Sequence, residues 1–302
     1  MNILQVNKYS WSHIGGIEKV VWSVASSLRD LEIESRLLCI EDKVNPVSQI
    51  GVVIARQSFR LFGMPFSWDF LRLAKQELAK ADLVLLHHPF PLGFFAYWLY
   101  GHGKPLMVWY HSDIVRQSFT AWLLTSLFRS ILKIAQVIIV SDFSIANNSE
   151  LAKLYLQKMV QIPFAQSMPA VTEARAVHGR IQFLAVGRLV YYKGYEYLLR
   201  SMENLPADLL IIGSGPLLSE LEQLIASQGL NNVKIISPVT DDVLSDYYNN
   251  CDVFVLPSIE KSEAFGLVQI EAMAYGKPVI NTNLPTAVPT VSLNGVTGIT
   301  VE

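Results

Sequence analysis

An α/β fold of two Rossmann-like domains, with parallel sheets facing a central cleft, is predicted by three features of the 302-residue sequence. Short apolar runs alternate with helical patterns along the chain, the signature of βαβ units. The second half repeats the style of the first with no short-period repeat, which speaks for two domains and against a solenoid. Between the halves, AQSMPAVTEARAVHG has small residues, a proline and little periodicity, as a connection does. The expected domains are 1–165 and 180–302 with a linker at 166–179, and the cleft between them is the natural ligand site.

The elements follow in order. Residues 3–6 open as a strand, and HIGGIEK turns the chain into a helix over 18–28 that carries Val20, Val21, Val24 and Leu28. Strands are expected at 35–40, 83–86, 106–109 and 137–140. The longest apolar stretch begins at Ser118, but Arg129 and Lys133 interrupt it, which argues against a membrane span. It reads as a helix with Phe119, Trp122, Leu123, Leu127 and Ile131 on one side. Arg116, Arg129 and Lys133 are available to meet anionic lipid, and plain packing on the sheet is the alternative. In the second half, strands are expected at 182–186, 209–212, 234–236, 253–256, 278–281 and 298–301. A helix pattern begins near Phe265 and stops at Gly276, Lys277 and Pro278. The sequence shows no helix after the last strand, so one flank of that sheet is expected to lack cover.

With 51% hydrophobic and 17% charged residues the chain is globular, and a formal net charge of -2 offers no overall case for nucleic acid binding. Cys39 and Cys251 have neither CxxC nor metal spacing, which suits two buried thiols in a reducing cytoplasm. MNILQVNKY opens directly as a strand, without the basic and apolar regions of a signal peptide.

The stretch EAFGLVQIE poses the chemical question. Glu271 interrupts a nearly all-round apolar helix, and burying it unpaired would be costly. The free N–H groups at the start of that helix suit a phosphate, and Glu271 lies about 8 Å further along at 1.5 Å per residue, a distance that a ribose on a diphosphate spans. A carboxylate accepting from ribose hydroxyls accounts for it, with Glu263 facing the other side of the phosphates. A capping Glu263 and a Glu271 paired with Lys or Arg account for the spacing equally well.

A second cluster is VGRLVYYKG, where a strand runs into Gly187, Arg188, Lys193 and Gly194. Cations at a strand's C-terminal end can clamp a diphosphate through a fork and a point charge, or can be two solvated loop charges. GSGP, at Gly213 to Pro216, ends the next strand with two glycines, a turn that lets a ligand or backbone approach closely. Gly15 and Gly16 precede the first helix and can expose N–H groups to phosphate or form a simple turn; GxGxxG is absent, which disfavours a nicotinamide-dependent oxidoreductase. His111 follows a strand in VWYHSDIV, where it can meet a substrate hydroxyl or serve as a core or capping residue. The six histidines have no ligand spacing, so no structural metal is expected, and no GxSxG or nucleophilic cysteine context occurs.

Taken together, GGIEKVV, HHPFP, HSDIV, VGRLVYYKG, GSGP and EAFGLVQIEAMAYGKPVI resemble the retaining nucleotide-sugar-dependent glycosyltransferases of family four, with the GT-B fold, over nearly the whole chain. The resemblance implies that Arg188 and Lys193 hold the diphosphate, Glu271 the ribose and Glu263 the donor sugar. The amides around Gly266, Leu267 and Val268 then meet sugar or phosphate, Gly15 and Gly16 the phosphate, Val239 the base, and His111 the sugar near its reacting carbon. It implies metal-independent transfer with no cofactor, a nucleoside-diphosphate sugar as co-substrate and a mannose- or glucose-type hexose moving to a glycan or lipid-linked acceptor. Bacterial cell-surface polysaccharide synthesis, in the cytoplasm or at the inner face of the plasma membrane, follows from the same likeness. The aromatic run HHPFPLGFFAYWLY suits a lipid-bearing acceptor or a packed core. The chain departs from the family pattern at IPFAQS and ISPVTDD, and relatives usually run on past GVTGITVE with helices that brace the two domains. A truncated, catalytically silent nucleotide-binding module is the alternative function.

Overall fold

The computed structural model describes residues 1–10, 15–42, 51–61, 64–113, 121–165 and 179–302, which divide into two compact units, Met1–Pro163 and Phe164–Glu302. His13, Arg116, Phe119 and linker residues 166–178 lie outside the described residues, as do the side chains of Trp122 and Leu123.

The first unit runs β1 (Asn2–Val6), α1 (Gly16–Asp30), β2 (Glu34–Glu41), β3 (Val52–Arg56), β4 (Phe59–Leu61), β5 (Met64–Phe66) and α2 (Trp68–Lys80). It continues with β6 (Leu83–His88), α3 (Pro91–Tyr100), β7 (Leu106–Tyr110), α4 (Ala121–Ile134), β8 (Val137–Val140), α5 (Phe143–Asn147) and β9 (Met159–Gln161). Among the described residues its main sheet is parallel, in the order β3-β2-β1-β6-β7-β8-β9. The predicted strands are all present within a residue or two at their ends; β3, β9 and the antiparallel β4–β5 hairpin are additions. The last three are too short to show a period of their own.

Helix α4 carries Phe128, Ile131 and Leu132 into the core, with Phe128 edge-on to Phe94 and His88, while Arg129 and Lys133 stay outside. Of the predicted apolar side, Ile131 is buried and Leu127 half-buried, while Ile134 at the helix end is exposed. The aromatic run on α3 divides: Phe94 and Tyr97 are buried, whereas Phe95, Trp98, Leu99 and Tyr100 are exposed. No helix among the described residues is long and apolar enough to cross a membrane.

The second unit runs β10 (Ile181–Val186), α6 (Tyr195–Ser201), β11 (Ala207–Ile212), α7 (Leu218–Gln228), β12 (Val233–Ile236) and α8 (Asp241–Asn250). After these come β13 (Val253–Leu256), α9 (Leu267–Ala274), β14 (Val279–Thr282), α10 (Val288–Val291) and β15 (Gly298–Val301). The sheet is parallel again, ordered β12-β11-β10-β13-β14-β15. Neighbouring strand residues go to opposite cores: Ala185, Ile211 and Val255 join one apolar cluster, Leu184, Ile212 and Phe254 the other. Both faces are covered there, which is why these strands read as unbroken apolar runs. At the β15 edge Ile299 is 58% and Val301 43% exposed.

Candidate functional site

In both sheets the strand order reverses direction beside the first strand, between β1 and β6 and between β10 and β13. At such a switch point the connections leave in opposite directions and open a crevice at the strands' C-terminal ends, where ligands bind in this class of sheet. In the second unit that crevice is bordered by the segment from Gly187 to Lys193 after β10 and the segment from Pro257 to Glu263 after β13.

The two segments are tied by their backbones. Ile259 N–H donates to Tyr192 O at 2.8 Å. Gly194 has a φ of 67°, and a Cβ there would lie 2.0 Å from the Pro257 carbonyl, so only glycine lets the segments close up. The GSGP turn packs likewise: a Cβ on Gly213 would lie 1.9 Å from Gly187 O, and Leu189 N–H donates to Ser214 O. Its glycines therefore serve the approach of the neighbouring backbone.

This closure brings Lys193 Nζ to 2.5 Å from Glu263 Oε2, which also accepts from Ser258 Oγ at 2.9 Å. Lys193 and Glu263 are each 8% exposed. Burial by itself would lower the lysine pKa, but the Glu263 carboxylate together with Tyr195 and Tyr192 outweighs it, and the ammonium is held above the usual lysine range. Lys193 is therefore not a solvated loop charge, and Glu263 is not a helix cap. Arg188 is exposed and makes no ion pair among the described residues, so its fork is available to an anion.

Helix α9 starts at Leu267, two residues later than expected, with Gly266 as its left-handed N-cap and no side-chain capping bond. Glu271 is then four residues in, about 6 Å along the axis by the 1.5 Å rise. It is 6% exposed, and the Tyr248 hydroxyl donates to its Oε2 at 2.9 Å. One partner of this carboxylate is thus a phenol from α8. Burial, and then the carboxylate, raise the Tyr248 pKa well above its ordinary value, so the phenol keeps its proton and remains a donor. Val239 and Val268 pack on the same apolar cluster as Tyr248. Gln269 anchors the helix: it accepts from Asn281 Nδ2 at 2.8 Å and donates to Phe265 O at 3.1 Å.

In the first unit Gly15 is the N-cap of α1 and Gly16 its exposed first residue. His111 follows β7 and is 5% exposed; its Nε2 lies 3.0 Å from His87 Nδ1, and His87 Nε2 lies 3.1 Å from Gln5 Oε1. Burial pushes His87 and His88 down to about 3, and burial followed by the two neighbouring histidines keeps His111 well below its usual value. All three are neutral at physiological pH.

Sequence reasoning missed Tyr248, Ser258, Gln5 and the part played by His87. Ser258 had a usable signal, because it stands just past the C-terminal end of β13 at the switch point. Tyr248 had none beyond its place on a helix, since its partner lies 23 residues away.

Two family models match the chain: Glycosyltransferase Family 4 over residues 14–163 and Glycosyl transferases group 1 over residues 171–302. The D-rhamnosyltransferase WbpZ of Pseudomonas aeruginosa is 31% identical over 314 residues, covering 100% of this chain and 82% of that protein. The O-antigen chain mannosyltransferase C of Escherichia coli is 29% identical over 313 residues, covering 99% and 84%. Among solved structures, Anabaena HepE in complex with UDP and glucose has a TM-score of 0.75 at 17% identity, covering 99% of this chain and 85% of that one.

Proposed function

The chain belongs to the family four glycosyltransferases, the glycosyl transferases group 1, with the GT-B fold, and from that premise we propose that it moves a mannose- or glucose-type hexose from a nucleoside-diphosphate sugar to a glycan or lipid-linked acceptor. Transfer retains the anomeric configuration and serves bacterial cell-surface polysaccharide synthesis at the cytoplasmic face of the membrane. The names of the two relatives support a mannose configuration, since D-rhamnose is 6-deoxymannose.

One observation carries the reading: two buried, hydrogen-bonded carboxylates, Glu263 and Glu271, flank the N-terminus of α9 beside the β10–β13 switch point. Glu271, held by Tyr248, accepts from the ribose. Glu263 meets the donor sugar, Gly266, Leu267 and Val268 present amides to sugar or phosphate, and Val239 lies by the base. In the first unit Gly15 and Gly16 meet phosphate and His111 meets the donor sugar. Breaking the anomeric bond leaves negative charge on the diphosphate, which Arg188, Lys193 and the helix end stabilise as it develops, with no metal required. The acceptor hydroxyl attacks from the face that the diphosphate leaves and gives its proton to a leaving phosphate oxygen.

Calorimetric titration of the full chain with UDP, GDP and ADP tests this, alongside folded Glu271→Ala and Arg188→Ala variants and an EDTA-treated control. One nucleotide is expected to bind, with both substitutions weakening it about ten- to hundred-fold, the worth of a hydrogen bond to a charged group. Absence of binding by a folded chain, or binding indifferent to both substitutions, overturns the assignment of the site.

A further inference from the structure

Behind His111 lies a chain of buried amides and imidazoles that the transfer chemistry does not call upon. Gln5 on β1 is fully buried, His87 on β6 is 1% exposed, and the two face the same side of the sheet across the β1–β6 switch point. Gln5 Nε2 donates to Ser35 Oγ at 3.0 Å, which turns its carbonyl oxygen toward His87 Nε2. An amide oxygen can only accept, so His87 Nε2 carries the proton and His87 Nδ1 is bare. His87 Nδ1 in turn lies 3.0 Å from His111 Nε2, so that nitrogen must be the donor. The His87 and His111 rings are 9° from parallel with centroids 5.3 Å apart, which puts this bond in the common plane of both rings, along the lone pair. Trp109 runs parallel to both, at 14° and 5°.

We propose that Gln5 and His87 are positioning residues that hold His111 as its Nε2–H tautomer, so that its Nδ1 is an acceptor for a hydroxyl of the donor sugar. The logic requires neutral imidazoles, and burial keeps both neutral. Were the Gln5 amide reversed, every proton in the chain would shift by one nitrogen and His111 would present an N–H instead. One glutamine thus sets whether the site accepts from a hydroxyl or donates to it. The part concerning the sugar rests on the function proposed above; the tautomer relay does not.

The test is 15N NMR of histidine-labelled full-length protein, with the His111 signals identified by their loss in His111→Gln. Nε2–H is expected for both His111 and His87 in the unaltered chain, and Nδ1–H on His111 overturns the proposal. In Gln5→Met the acceptor is gone, so His111 should become a mixture of tautomers. Transfer should then fall about ten-fold in kcat, the worth of one neutral hydrogen bond, with nucleotide affinity unchanged. Gln5→Glu keeps an acceptor oxygen and should restore the single tautomer and most of kcat, which separates positioning from packing. An unchanged tautomer in a folded Gln5→Met chain sinks the relay even if the unaltered chain is an active transferase. If the unaltered chain transfers no sugar, the functional reading fails while the NMR still decides the relay.

Discussion

The buried pair of Lys193 and Glu263 invites a double-substitution cycle of Lys193→Met and Glu263→Gln. In Lys193→Met the Glu263 carboxylate keeps, among the described residues, the Ser258 hydroxyl 2.9 Å from Oε2, at a position 8% exposed. Stranding one member of a buried pair costs about 3–5 kcal/mol, whereas replacing both with neutral groups of similar volume is often close to neutral. The expected result is two strongly destabilised single variants, a double variant near the parent, and a coupling of about 3 kcal/mol or more. The pH dependence has a definite sign. The Lys193 pKa is raised on folding, so its contribution is complete below the unfolded lysine value of about 10.5 and is lost as pH rises through the folded value. All six tryptophans precede residue 123, so the second unit is best followed by hydrogen exchange of peptides from 180–302 at pH 7. Single variants within about 1 kcal/mol of the parent, with no coupling, would refute the claim that Lys193 and Glu263 form a buried pair in which each charge depends on the other.

Three further outcomes are expected. Tyr248→Phe removes the donor to Glu271 and should cost about 1.5–3 kcal/mol in second-unit stability, with a parallel loss of nucleotide affinity on titration. Gly194→Ala should destabilise by about 3 kcal/mol or more, read as urea midpoint, because positive φ and the nearby Pro257 carbonyl both oppose a side chain. Acid should loosen the first unit: His87 and His88 have folded pKa values of about 3 against 6.5, so stability is full above about 6.5 and is lost as pH falls towards 3. Between pH 7 and 5 each should remove about 2 kcal/mol, visible in tryptophan fluorescence during urea unfolding, and unchanged stability would contradict neutral burial.

Much of the architecture was legible because its signals are local. Strands covered on both faces are continuous apolar runs, as at Val253–Leu256, and their punctuation by glycine and proline marks where each ends. Sites at strand ends inherit that legibility, which is why Arg188, Lys193, His111 and Glu263 could be named from spacing and family likeness. Partners could not. The pairing of Glu271 with Tyr248 joins α9 to α8, and the bond between His111 and His87 joins the residue just past β7 to β6, two residues beyond the register partner Trp109.

By itself, then, the sequence determined two parallel α/β units, the strand ends that bear polar groups, and membership of a glycosyltransferase family. Hydrophobic periodicity and backbone-permissive glycines are properties of short segments, and they survive without knowledge of what lies opposite. Only the tertiary structure decided which groups satisfy the buried charges and which nitrogen of His111 bears its proton. A buried polar group must find its partner within hydrogen-bonding distance in space, and sheet packing brings together residues as far apart as Gln5 and His87.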